Sequence, residues 1–158
     1  MSSVKPIPDG YRSVTPYLFI KGAASAIDYY KNIFGAKERM RMPGPNGRVM
    51  HAELEIGNSV IMLADENPQV GARSPETIGG ASCSFHVYVE DVDAIVERAV
   101  DSGGKLARPV RDEFYGDRTG TVIDPFGHIW SIATHIEDVS PEEMKKRMAN
   151  LMSQSASG

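Results

Sequence analysis

The chain has 158 residues, 41% of them hydrophobic and 24% charged, with a formal net charge of −4 at pH 7. That length buries roughly 70% of the surface an unfolded chain exposes, so a single domain over 1–158 needs no disulfide or metal staple. Interspersed charge without a basic stripe argues against nucleic acid, one cysteine excludes an intrachain disulfide, and no apolar run reaches membrane-spanning length.

Residues 1–10 lack the apolar stretch of a signal peptide, and with the unpaired cysteine this predicts a cytoplasmic protein. Val14 to Ile20 is rich in β-branched and aromatic residues and reads as a strand. Ala23, Ala26, Ile27, Tyr30 and Phe34 recur at helical spacing, and Gly35 ends the helix. Lys37 to Met42 is a weaker, charged strand. After a Pro/Gly-rich loop, Val49 to Ile56 alternates with period two, and Gly57-Asn58 turns it into Ser59 to Ala64. Asn67 to Ala81 has turn composition throughout and reads as a linker.

The second half follows the same order. Cys83 to Val89 is a strand in which a buried, inert thiol is expected. Asp91 to Ser102 is a helix stopped by Gly103-Gly104. Lys105 to Val110, Arg118 to Ile123 and Ile129 to Thr134 are strands, the last two joined through Asp124-Pro125-Phe126-Gly127. Ser140, Pro141 and Glu143 then open a terminal helix bearing Met144, Met148, Leu151 and Met152. That stripe covers exposed core or packs on a second subunit.

The halves repeat. Thr15 and Ser84, Ile20 and Val89, Gly35 and Gly104, Asn58 and Gly127, and Met62 and Ser131 all keep one sequence offset, 69. One fixed spacing means one supersecondary unit used twice.

This repeat, the segment Ala26-Ile27-Asp28-Tyr29-Tyr30-Lys31, the Val89-Glu90-Asp91-Val92 junction and the Asp124-Pro125-Phe126-Gly127-His128 turn resemble the vicinal-oxygen-chelate superfamily. That group includes glyoxalase I, extradiol dioxygenases and bleomycin-resistance proteins. His51-Ala52-Glu53-Leu54, Tyr115-Gly116-Asp117-Arg118 and the Ser140-Pro141-Glu142-Glu143-Met144 tail look most like its PhnB branch. The resemblance spans about residues 12 to 152. It implies an α+β fold of tandem βαβββ units (12–66 and 82–136, linked by 67–81). These would form curved sheets around a cavity, with a C-terminal helix over 140–152. It also implies a homodimer that binds a small molecule.

Matched to the family's motifs, its four metal-ligand positions fall on Thr15, Met62, Ser84 and Ser131. Three hydroxyls and a thioether offer neither carboxylate nor imidazole, so no metal and no cofactor are expected. Strand alternation puts His51, Glu53 and Glu55 on one face, and groups Ser84, His86 and Tyr88. His51, Glu53 and His86 are therefore the candidate catalytic residues, as acid/base groups or as a relocated metal site. The alternative is that they are pocket-lining groups hydrogen-bonded to one another, to water or to ligand. Tyr17 and Phe19 are candidate aromatic walls, with Met62 and Ser84 beside them. Tyr115 and Arg118 can donate to an anionic or carbonyl ligand, or serve an ion pair with Asp112 or Asp117. Trp130, His128 and His135 read as structural.

Two functions remain open. One is a binding module for a small organic ligand without the family's metal site. The other is an enzyme of lyase, isomerase or dioxygenase type using His51, Glu53 or His86.

Overall fold

A computed structural model describes residues 4–156; the ends of the 1–158 range lie outside the described residues. The chain falls into two compact units that divide between Ala81 and Ser82. The first contains β1 (Tyr17–Ile20), α1 (Ala23–Phe34), β2 (Lys37–Pro43), β3 (Val49–Ile56), β4 (Ser59–Asp65) and the short α2 (Pro75–Ile78). The second contains β5 (Ser84–Tyr88), α3 (Val92–Asp101), β6 (Lys105–Asp112), β7 (Asp117–Ile123), β8 (Ile129–His135) and α4 (Pro141–Ser155). The expected α+β order is present in both units, and the C-terminal helix follows.

Each unit forms a four-stranded mixed sheet, β1-β4-β3-β2 in the first and β5-β8-β7-β6 in the second. The outer pairs β1/β4 and β5/β8 are parallel, and the rest are antiparallel. In the first unit Ala23, Ala26, Ile27, Tyr30 and Ile33 of α1 are buried, as are Leu18, Ile20, Ala52, Leu54 and Leu63 of the sheet. In the second, Val92, Val96 and Ala99 of α3 are buried, as are Val122, Trp130 and Ile132. Gly120 permits this packing, because a Cβ there would lie 2.8 Å from Val110 Cγ2 and 3.1 Å from Val96 Cγ2.

The repeat extends to hydrogen bonding. Tyr17 pairs with Met62, and their equivalents at the same offset, His86 and Ser131, pair in turn. α1 starts at Gly22 without a side-chain cap of its own. Instead, the Asp65 carboxylate accepts from Gly22 N at 3.1 Å and Ala23 N at 3.0 Å. Thr134, the equivalent of Asp65 in the second unit, accepts from Val92 N at 3.0 Å at the start of α3. In both units a strand side chain therefore satisfies an amide that the helix leaves without a partner.

The spacing is not constant, however. Lys37 pairs with Glu55 and Lys105 with Ile123; Glu53 pairs with Met62 and Thr121 with Ser131. β2 and β3 therefore repeat at an offset one shorter than the rest of the unit. Ala36 separates Gly35 from Lys37, whereas Gly104 directly precedes Lys105. Four residues lie between the paired Glu55 and Val60, but five between Ile123 and Ile129. One residue is lost after the helix and regained in the hairpin. Both units also carry the same β-bulge, at Arg39 and at Ala107.

Two expectations change. Cys83 is exposed, not buried, because it precedes β5 and lies outside the sheet. The segment 67–81 is not turn throughout: Ser74 accepts from Thr77 N and caps α2, with Pro75 at its first position. Among the described residues no helix is long and apolar enough to cross a membrane.

Candidate functional site

The face of the first sheet opposite α1 gathers most of the expected residues. Tyr17, Met62, Glu53 and Met40 are cross-strand neighbours in one row over β1, β4, β3 and β2. His51 follows one pleat along β3, opposite Met42. Tyr17 and His51 bridge the row, with Tyr17 Oη 2.8 Å from His51 Nδ1. His51 Nε2 is 3.3 Å from Glu53 Oε1, and Tyr11, from the segment before β1, donates to Glu53 Oε2 at 2.5 Å. Aromatic walls complete the face: the Tyr17 ring lies 5.3 Å from Phe19 and 5.4 Å from His51.

Glu53 is the electrostatic centre, a carboxylate only 4% exposed. Burial pushes its pKa up, but the bonds from Tyr11 and His51 and the nearby charges of His51 and Arg39 outweigh this. The carboxyl sits below its usual range. An ionised carboxylate only accepts, so His51 Nε2 carries a proton. In neutral His51, Nδ1 is then an acceptor for the Tyr17 hydroxyl. Burial raises the Tyr17 pKa, and the bond to Glu53, then burial, raise that of Tyr11, so both phenols stay protonated donors.

The second unit is organised differently. His86 Nδ1 lies 3.2 Å from Ser131 Oγ, with its ring edge-on to Tyr88 at 4.9 Å. Tyr88 donates to Asp117 Oδ2 at 2.8 Å, and His135 Nδ1 approaches Asp117 Oδ1 at 2.7 Å. Asp117 is therefore the hub of a cluster rather than a partner of Arg118. Arg118 bonds Asp93 through Nε and a terminal nitrogen at 2.7 and 2.8 Å, and Asp112 at 2.8 Å. These bonds raise its pKa further above the ordinary arginine value. Tyr115 is 37% exposed, edge-on to Phe114 at 5.3 Å. Ser84 is exposed at the start of β5. Trp130 is buried, its indole bonded to Asp124 at 2.9 Å, and His128 is buried in the hairpin turn.

The structure thus brings together Tyr17, Phe19, His51, Glu53 and Met62, while His86, Ser84, Tyr115 and Arg118 belong to the second unit. Sequence reasoning missed Tyr11, Met40 and Met42 on the first face, and the Tyr88–Asp117–His135 cluster on the second. Met40 and Met42 alternate within a charged strand, a signal that was there to be read. Tyr11 lies outside the repeat and left none.

Thr15, just before β1, and Met62, Ser84 and Ser131 do not fit a divalent transition metal, since none supplies imidazole or carboxylate. Among the described residues, no group of three or more His, Cys, Asp or Glu side chains is placed to hold one.

Residues 13–132 match the model of the Glyoxalase/Bleomycin resistance protein/Dioxygenase superfamily. An uncharacterized Mycobacterium bovis protein, Mb0911c, is 40% identical over 141 residues, covering 87% of this chain and 93% of its own. The Arabidopsis thaliana At5g48480 product superposes with a TM-score of 0.63 at 26% identity, over 78% of this chain and 98% of its own. A PhnB protein from Bacillus cereus shares the fold at 18% identity, with a TM-score of 0.62 over 78% of this chain and 99% of its own. The doubled βαβββ pattern, the family match over most of the chain and these relatives agree. The chain belongs to the glyoxalase/bleomycin resistance protein/dioxygenase superfamily.

Proposed function

We propose that this protein is a cytoplasmic homodimer that binds a small organic ligand without a metal or cofactor. The observation that carries this reading is the row on the first sheet. Met62, which the resemblance matches to a superfamily metal position, pairs with Tyr17 and Glu53 in this row, and Tyr17, His51 and Glu53 are joined by hydrogen bonds. Aromatic and thioether surface with a few directed polar groups suits an organic ligand better than a hard cation. Tyr17, Phe19, His51, Glu53 and Met62 supply this surface. Ser84, His86, Tyr115 and Arg118 are further ligand-binding residues in this reading, with Arg118 the least available because its guanidinium is already paired. The homodimer reading is supported by α4, where Met148, Leu151 and Met152 are 48%, 45% and 69% exposed. Sedimentation showing a monomer at micromolar concentration would contradict it.

A second reading is an acid/base enzyme, favoured by a buried carboxylate held against an imidazole. Elemental analysis of the purified protein separates the binding reading from an enzyme with a relocated metal site. Mass spectrometry of the extracted small molecule before and after incubation with the protein, unchanged or converted, separates the binding reading from a metal-free acid/base enzyme. The binding reading expects no stoichiometric metal and a retained organic ligand. A metal lost in His51→Ala or His86→Ala would favour the enzyme with a relocated site. A metal that survives both changes but is lost on replacing Met62 and Ser84 would overturn the family register.

A further inference from the structure

The segment before β1 delivers a phenol to Glu53. Tyr11 donates to Oε2 at 2.5 Å while His51 holds the other oxygen. A phenol O–H on an ionised carboxylate is a charge-assisted bond, stronger than one between neutral groups. The Tyr11 ring has its own seat. Arg39 places its guanidinium 4.7 Å from the ring centroid and donates to Gly10 O at 3.2 Å. Arg39 can do so because it is the extra residue of the β2 bulge, between the pairs Glu38–Leu54 and Met40–Glu53. The second unit keeps the bulge but not the chemistry: Ala107 replaces Arg39 and Thr121 replaces Glu53. The phenol seat is therefore an addition to the shared fold, not a requirement of it.

We propose that Glu53, Arg39 and the flanking Tyr17, Met40 and Met42 form a receptor for a phenolic hydroxyl. Tyr11 is its resident occupant, and a free phenol is its exchangeable ligand. This rests on the small-ligand reading above and adds the ligand's chemical class. The incoming hydroxyl donates to Glu53 Oε2 in place of Tyr11, and its ring takes the Tyr11 position beneath Arg39. Glu53 accepts and does not deprotonate, so the neutral phenol binds and the phenolate is repelled. Exposed Met40 and Met42 offer adaptable apolar surface to the ring.

The test is calorimetric titration of 4-cyanophenol and its methyl ether into wild type, Tyr11→Phe and Tyr11→Phe/Glu53→Gln. Tyr11→Phe removes the resident hydroxyl but keeps the ring, and should bind the phenol about tenfold more tightly than wild type. The methyl ether should show no gain, and Glu53→Gln should abolish it. Equal phenol affinity in wild type and Tyr11→Phe, a gain shared by the ether, or no phenol binding by Tyr11→Phe would each overturn the proposal. Binding of a non-phenolic ligand through Tyr17 and His51, with no phenol gain, would remove the proposal and leave the ligand-binding reading standing.

Discussion

Tyr17 Oη lies 2.8 Å from His51 Nδ1, a bond from β1 to β3 across β4, the strand between them. Its consequence is a fixed imidazole. With Nε2–H directed at Glu53, neutral His51 must present Nδ1 as the acceptor for Tyr17. Nitrogen-15 NMR of the neutral form should therefore show His51 as the Nε2–H tautomer. In Glu53→Ala the acceptor that fixes Nε2–H is gone, and the spectrum should shift toward a tautomer mixture. An unchanged His51 spectrum in that variant would mean that the Glu53 carboxylate does not set the tautomer.

His135 should make stability fall on the alkaline side. Its Nδ1 faces Asp117 at 2.7 Å and its Nε2 faces Asp138 at 2.8 Å. Both partners only accept, so the geometry requires the imidazolium. The bond to Asp117, then that to Asp138, raises the His135 pKa above its ordinary 6.5. A raised folded pKa means that the contribution is complete below about 6.5 and is lost as pH climbs through the folded value. Asp117 acts at the other end. Burial pushes its pKa up, but the bonds from His135 and Tyr88 more than offset this and leave it lowered. Its contribution is lost as pH falls through that depressed value. Thermal melts should show the wild type losing stability from pH 6 to 9, with a flatter limb in His135→Gln. Parallel limbs would remove His135 as the cause.

Two glycines should tolerate alanine very differently. Gly116 has φ +98, and an added Cβ would collide with the Glu137 carbonyl oxygen. Gly57 has φ +57 but open space around it. Gly116→Ala should therefore cost about 3 kcal/mol or more, combining strain with a backbone clash, and Gly57→Ala only about 1 kcal/mol. Denaturant midpoints measure both. Equal losses would show that the Glu137 backbone yields.

The doubled βαβββ order was legible because each element carries its own local signal. Alternation marks Val49–Ile56, helical spacing marks Ala23–Phe34, and a glycine stops the helix. The one-position slip of β2 and β3 against the repeat was hidden, because no glycine or turn marks those two strands. The His51–Glu53 pair was legible from strand period alone. Its partner Tyr11 was not, since 42 residues separate it from Glu53 and only folding brings them together. The pairing of Asp117 with His135 was hidden for a related reason. Val49 and Glu66 occupy their places in the first half, so the repeat gave no hint of a cluster.

The central claim is that the first sheet face binds an organic ligand without a metal. Methyl-labelled methionine NMR on chelator-treated protein tests it most directly, because Met40, Met42 and Met62 all belong to this face. Titrating 4-cyanophenol and a panel of small aromatic and aliphatic compounds into that sample should shift these three methyls, and the shifts should diminish in His51→Ala. Methyl signals that stay still throughout the panel, and move only once a divalent metal is added, would contradict the account.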